Sequence, residues 1–142
     1  MRLTVQTDYA LRVLMYAGAA APRLVTIDEV AAAYAISRNH LMKVVNRLAQ
    51  GGYVKSVRGR AGGFTLGRHP QKIKLSDVVR YMEDDFALVE CGGDANRCRI
   101  TKVCRLKGAL GQAMGAFFTA LDSYTLESIL LDPDHVKVLR AG

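Results

Sequence analysis

Cys91, Cys98 and Cys104 are the only cysteines of this 142-residue chain, and all three fall within one short stretch. Thiolates are the preferred ligands of soft metal centres. The stretch is loop-like, with Gly92 and Gly93 after the first cysteine and then Asp94 and Asn96. A polar, flexible loop lets three sulfurs converge on one point. Six and five residues separate the cysteines, which fits no zinc-knuckle pattern, because those use closely spaced Cys pairs. The spacing is compatible with a loop wrapped around an iron–sulfur cluster, whose irons prefer thiolates. By itself the spacing leaves three readings open: one metal site, a redox-reactive set, or plain buried thiols.

A thiol enzyme or redox protein would need supporting residues. The chain has no Cys-x-x-Cys, no nucleotide-binding glycine loop and no His/Asp set placed for catalysis, so an enzyme is not expected. Three cysteines cannot close a disulfide framework, which points to a reducing, cytoplasmic setting. No uncharged run reaches the ~18 apolar residues of a membrane span. The Ala-rich amino terminus mimics a signal peptide, but Asp8 and Arg12 interrupt it and fit a helix face better.

The net charge is +7, and its placement is more informative than its size. From Val30 to Ser76 there is no Asp or Glu, while Arg38, Lys43, Arg47, Lys55, Arg58, Arg60, Arg68, Lys72 and Lys74 all lie there. A one-signed field over a third of a small protein costs self-repulsion, so it usually serves a polyanion. Local patterning agrees. Thr7 is the expected cap of a first helix from about Asp8 to Ala20, ended by Pro22. Thr26, with Glu29 three residues later, forms a capping box for a short second helix to about Tyr34. Ala35 and Ile36 make a tight turn, and Ser37 caps a third helix ending near Gly51 and Gly52.

Two short helices joined by such a turn form a helix-turn-helix. Leu41, Val44, Val45 and Leu48 give the third helix its buried stripe. Ser37, Arg38, Asn39, His40 and Lys43, with Asn46 and Arg47 further on, present groups that bind base edges and phosphates. Two strands follow, Tyr53 to Arg58 and Phe64 to Leu66. The tip between them, Gly59-Arg60-Ala61-Gly62-Gly63, tolerates positive φ and close backbone approach. Arg58, Arg60, Gly62 and Gly63 on that tip make it the wing of a winged helix-turn-helix, reaching the DNA backbone or minor groove. A DNA reader joined to a thiolate loop suggests a transcription factor whose affinity depends on an inorganic cofactor.

Ser76 is expected to cap a fourth helix to about Glu83. A long helix then runs from about Cys104 to Tyr124, roughly 30 Å at ~1.5 Å per residue. Leu106, Leu110, Ala113, Phe117, Ala120 and Tyr124 alternate steps of four and three, a seam for a second copy, and Gly108, Gly111 and Gly115 permit close approach. The expected fold is mainly α with a small β-hairpin wing. Residues 1–83 form the winged helix-turn-helix and 84–104 the cluster-binding loop. Residues 105–131 hold the dimerisation helix and a short C-terminal helix, and 132–142 a flexible tail. A symmetric homodimer would read a pseudo-palindromic double-stranded operator.

These residues resemble the Rrf2 family of bacterial transcription regulators. The resemblance is carried by Met1-Arg2-Leu3-Thr4, Thr7-Asp8-Tyr9-Ala10-Leu11, Ser37-Arg38-Asn39-His40-Leu41, the wing from Val57 to Leu66 and the three-cysteine loop. Within the family, Ser-Arg-Asn-His, Cys104-Arg105-Leu106-Lys107 and Leu121-Asp122-Ser123-Tyr124-Thr125-Leu126 are most similar to its nitric-oxide-sensing repressors. In a second branch, regulators of iron–sulfur assembly, a histidine three residues after the third cysteine is a cluster ligand. Here that position is Lys107, whose ammonium cannot ligate. The resemblance implies a cluster on Cys91, Cys98 and Cys104, with [4Fe-4S] favoured over [2Fe-2S]. It also implies Asp8 of the partner subunit as fourth ligand, Arg12 one turn later to orient it, and nitric oxide as the signal. A [2Fe-2S] sensor of redox or iron–sulfur status is the alternative within the family, and a cluster-free thiol redox protein the alternative outside it.

Overall fold

The computed structural model describes residues 2–141. Its elements in order are α1 (Val5–Ala20), α2 (Ile27–Tyr34), α3 (Arg38–Gln50), β1 (Val54–Val57), β2 (Gly63–Leu66), α4 (Leu75–Met82), α5 (Arg105–Asp122) and α6 (Pro133–Ala141). Short 3-10 turns at Pro70–Lys72, Glu90–Gly92 and Leu126–Ile129 lie between them. The mainly helical architecture with a two-stranded antiparallel wing is as the sequence indicates.

α1 is the centre of the packed body and lies against α3, α4, β2 and α6. Ala10, Val13, Leu14, Tyr16 and Ala17 on its inner face are fully buried. Leu41, Val44 and Leu48 of α3 meet them at helical spacing. Truncating a leucine in such a core to Ala costs about 2–5 kcal/mol. The helix-turn-helix closes as its sequence dictates: Thr26 Oγ1 accepts from the Glu29 N–H at 3.1 Å, and Ala35 adopts a left-handed conformation with φ 52°. Ala35 then lets the Ile36 N–H reach the Ala31 carbonyl at 3.0 Å.

Two expected caps are displaced. α1 begins at Val5, three residues before the predicted start, because Thr4 Oγ1 rather than Thr7 accepts at the helix end. Thr7 lies inside the helix and is fully buried, with its hydroxyl 3.1 Å from that of Thr4. Likewise α4 starts at Leu75 with Lys74 at the N-cap, and Ser76 is buried in the first turn, its Oγ donating to the Asp122 carboxylate. A buried hydroxyl needs a partner, and Asp122, at the end of α5, supplies it.

In the wing, Val54 pairs with Leu66 and Val57 with Gly63. Val25, between α1 and α2, adds a third backbone to this sheet, donating to Phe64 at 2.9 Å and accepting from it at 2.8 Å. A Cβ on Gly63 would lie 2.5 Å from the Val25 carbonyl oxygen, and one on Gly62 2.5 Å from that of Val57. Gly62 is required by the hairpin's own close approach and Gly63 by that of the Val25 backbone.

α5 spans 18 residues, slightly fewer than expected, and is joined to the body mainly at its C-terminal end. Phe118, its one buried residue among those described, stacks edge-on against Phe86 at 4.9 Å and lies beneath the Arg80 guanidinium at 4.1 Å. The Leu75 N–H donates to Tyr124 and the Leu126 N–H to Ile73, anchoring the chain after α5 to the start of α4. The predicted flexible tail is instead α6, whose Val136 is buried in the core alongside α1 and α2. Pro133 opens this helix, and the Asp134 N–H donates to the Asp132 carboxylate, so a short polar segment acquires a helix start and an apolar anchor. Residue 142 of that tail lies outside the described residues.

Candidate functional site

Two surfaces are the candidates for the chemistry. The first is the leading end of α3 with the wing. Ser37, Arg38, Asn39, His40 and Lys43 are all exposed, as the outer face of a recognition helix requires. Ser37 occupies the N-cap position but makes no side-chain cap bond, so its hydroxyl is unused by the helix. Arg38 forms an exposed pair with Asp28 at 2.6 Å. Such pairs contribute little stability and give way readily to a stronger anion. Arg58 and Arg60 stand exposed on the hairpin tip, where Gly59 takes φ +116°.

Arg47 behaves differently from the outer-face role its spacing indicates. Its guanidinium donates to the Tyr81 carbonyl at 3.0 Å and to Asp84 at 2.8 Å, and the Tyr81 hydroxyl donates back to the Arg47 carbonyl at 2.8 Å. It clasps α3 to the end of α4 instead of facing outward. Arg68 is also diverted, lying over the Tyr53 ring at 4.5 Å and donating to the Gly51 carbonyl. Sequence reasoning passed over Tyr9, whose ring approaches His40 with centroids 6.4 Å apart. Together with Val5, Gln6, Lys43 and Val44 these rings line a groove of about 350 Å³ between α1 and α3. No local pattern links positions 9 and 40; only the packing of the two helices does.

The second surface is the cysteine loop between α4 and α5. All three cysteines are free and half-buried. Cys91 lies in the 3-10 turn, Cys104 is the N-cap residue of α5, and Cys98 is held between them. Asn96 Oδ1 accepts from the Cys98 N–H at 2.9 Å, and Thr101 Oγ1 donates to the Cys98 carbonyl at 2.8 Å. Glu90 Oε1 accepts from the Arg97 N–H at 2.9 Å, which ties the first cysteine's turn to the second's. A cavity of about 270 Å³, lined by Phe86, Leu88, Val89, Lys107, Leu110 and Met114 among others, separates the loop from α5.

Within one chain the cysteines do not converge: among the described residues no three His, Cys, Asp or Glu side chains form a metal-holding group. The donor chemistry nonetheless fits a soft metal centre, since three thiols without disulfides share one loop. Asp8 lies elsewhere, on α1, with its side chain about half exposed. Arg12 grips it through both oxygens, Nε to Oδ1 at 3.0 Å and Nη2 to Oδ2 at 2.9 Å.

Residues 3–132 match the Rrf2 family of iron-dependent transcriptional regulators. The chain belongs to the Rrf2 family. It is 46% identical over 141 residues to the HTH-type transcriptional regulator NsrR of Bacillus licheniformis, covering 98% of this chain and 99% of that protein. NsrR of Bacillus subtilis is also 46% identical, with 98% and 97% covered. Among solved structures, IscR of T. potens has a TM-score of 0.71 at 23% identity, covering 89% of this chain and 84% of that one. CymR of B. subtilis, described as the global cysteine regulator, has a TM-score of 0.71 at 24% identity, covering 95% and 98%. These two share the fold. This Rrf2 member is therefore a DNA-binding transcription regulator and not an enzyme, and none of its described helices is long and apolar enough to cross a membrane.

Proposed function

We infer that this chain is a cytoplasmic homodimeric repressor whose grip on a pseudo-palindromic operator depends on an iron–sulfur cluster, and that nitric oxide relieves repression. The observation that carries this reading is 46% identity to NsrR regulators along almost the whole chain, cysteine loop included. Cys91, Cys98 and Cys104 of one protomer would hold the cluster, with Asp8 of the partner subunit as a fourth, oxygen ligand. A [4Fe-4S] form is favoured over [2Fe-2S]. When bound, the group supplies an iron that a small neutral ligand can reach.

The chain's own residues then do three things. The α5 helices associate along the predicted seam, where Leu106 is 57% exposed and Ala113 and Ala120 are exposed beside it. The thiol loop of one protomer and α1 of the other become tied, which fixes the two reading heads relative to each other. Asn39 and Lys43 reach base edges, while Ser37, Arg38, His40 and the wing hold the backbone, Gly62 and Gly63 letting the tip come close.

The test compares operator binding by loaded, nitric-oxide-treated and cluster-free protein at one salt concentration. Loaded protein is expected to bind tightest, by about a hundredfold, which corresponds to about 2.7 kcal/mol of coupling. Equal affinity in all three forms sinks the switch, and tightest binding by the cluster-free form reverses its sign. For the wing, Arg60→Ala should weaken operator binding with the fold intact and flatten the salt dependence by about one unit of slope. An unchanged slope removes the wing from the interface.

A further inference from the structure

Asp8 has both carboxylate oxygens committed to one guanidinium, that of Arg12. A carboxylate has about four lone-pair sites and can still take a ligand, but a bound cation competes with the guanidinium for its charge and weakens both bonds. N–H groups of the guanidinium, which carries five donors in a fixed fork, can then turn to another acceptor. Tyr34 stands beside Arg12, its ring centroid 5.9 Å from the guanidinium carbon. Its hydroxyl is buried and has no hydrogen-bond partner among the described residues. Orphaned buried hydroxyls are rare and costly. Burial raises the pKa of this phenol, and the nearby Arg12 charge opposes that rise.

The position of Tyr34 gives this orphan its meaning. It is the last residue of α2; left-handed Ala35 follows at once, and the recognition helix begins at Arg38. Its ring is braced edge-on by Tyr16, centroids 6.0 Å apart, while Tyr16 Oη itself donates to Glu29 at 2.8 Å. Arg12, with a side chain 43% exposed on a long stem, is the member of the group with room to change partner. We propose that Arg12 is a two-position latch, held by Asp8 while that carboxylate is free and donating to Tyr34 Oη once the carboxylate binds a ligand. Tyr34 thereby carries the state of Asp8 to the turn that sets α3. This deepens the function proposed above and rests on Asp8 serving as a ligand to the partner subunit's cluster. Cross-subunit ligation would then let the centre held by one protomer address the reading head of the other.

Tyr34→Phe keeps the ring and removes only the acceptor. The operator is a duplex recovered by loaded wild-type protein from a random-sequence pool. The variant, loaded anaerobically, should keep the wild-type visible spectrum yet bind that duplex about tenfold more weakly, the loss expected for a hydrogen bond to a charged group. Cluster-free Tyr34→Phe should bind as cluster-free wild type does, and its thermal midpoint should not fall, because the hydroxyl it lacks was unpaired. A merely structural tyrosine would lower stability and weaken both forms alike; that pattern, or undiminished affinity of the loaded variant, overturns the latch. Asp8→Ala separates the two layers of the argument. A wild-type spectrum in Asp8→Ala removes the ligand reading and the latch with it. An altered spectrum there, beside unchanged affinity in loaded Tyr34→Phe, removes the latch alone.

Discussion

Replacing Cys98 by Ala is expected to abolish the iron and sulfide content of anaerobically purified protein and to weaken operator binding by about a hundredfold or more. The fold should survive. Cys98 is half-buried, and the bonds that shape its turn run through its backbone N–H and carbonyl to Asn96 and Thr101, so losing the sulfur leaves them intact. Removing one of three thiolates leaves a single loop with too few soft donors to retain a cluster. Circular dichroism should match wild type while the visible absorbance disappears. Cys91→Ala and Cys104→Ala should behave alike, since each supplies one donor to the same centre. Wild-type operator affinity in colourless Cys98→Ala would eliminate the cofactor from DNA binding, and stoichiometric zinc without iron in the wild type would replace the cluster with another metal.

Ala113→Glu is expected to convert the dimer to a folded monomer and to reduce operator affinity by two orders of magnitude or more. Ala113 is exposed in the single chain, so a carboxylate there is fully solvated and costs the protomer almost nothing. In a helix pair it would bury an unpaired charge on a seam lined by small residues, a penalty of several kcal/mol. A stable interface buries about 800 Å² per partner, and its buried core is depleted of charged residues. A monomer reads one half-site and loses the avidity of two. Light scattering gives the mass and circular dichroism the fold. A dimeric Ala113→Glu of unchanged affinity would move the dimer interface off this face of α5. Leu110 and Phe117, also on the predicted seam, are half-buried by the loop side of their own chain and are poorer probes.

The sequence by itself determined whatever depends on neighbours a few residues apart. Helical periodicity put Leu41, Val44, Val45 and Leu48 on one face; Thr26 and Glu29 opened α2; glycines marked the hairpin tip; and the acid-free window marked a basic stretch. Each of these is a short-range property, set by helical pitch, capping geometry or local charge. The choice between Thr4 and Thr7 as cap was not legible, because both are competent acceptors and only burial of Thr7 against the core decides. Nor was the fate of Arg47, which turns to Asp84, 37 residues away, or of Ser76, whose hydroxyl finds Asp122 across 46 residues. Residues 132–142 read as tail, yet Pro133–Ala141 form a helix whose Val136 is buried in the core alongside α1 and α2. Tyr34 looked like an ordinary end of a helix until packing set it beside Arg12 with its hydroxyl unpaired. The cysteines show both sides: their type marks candidate soft donors, while the single chain brings no three donors together among the described residues. Local chemistry is written in the order of residues, whereas the partner a charged or polar side chain meets depends on which distant elements the core brings within about 3 Å.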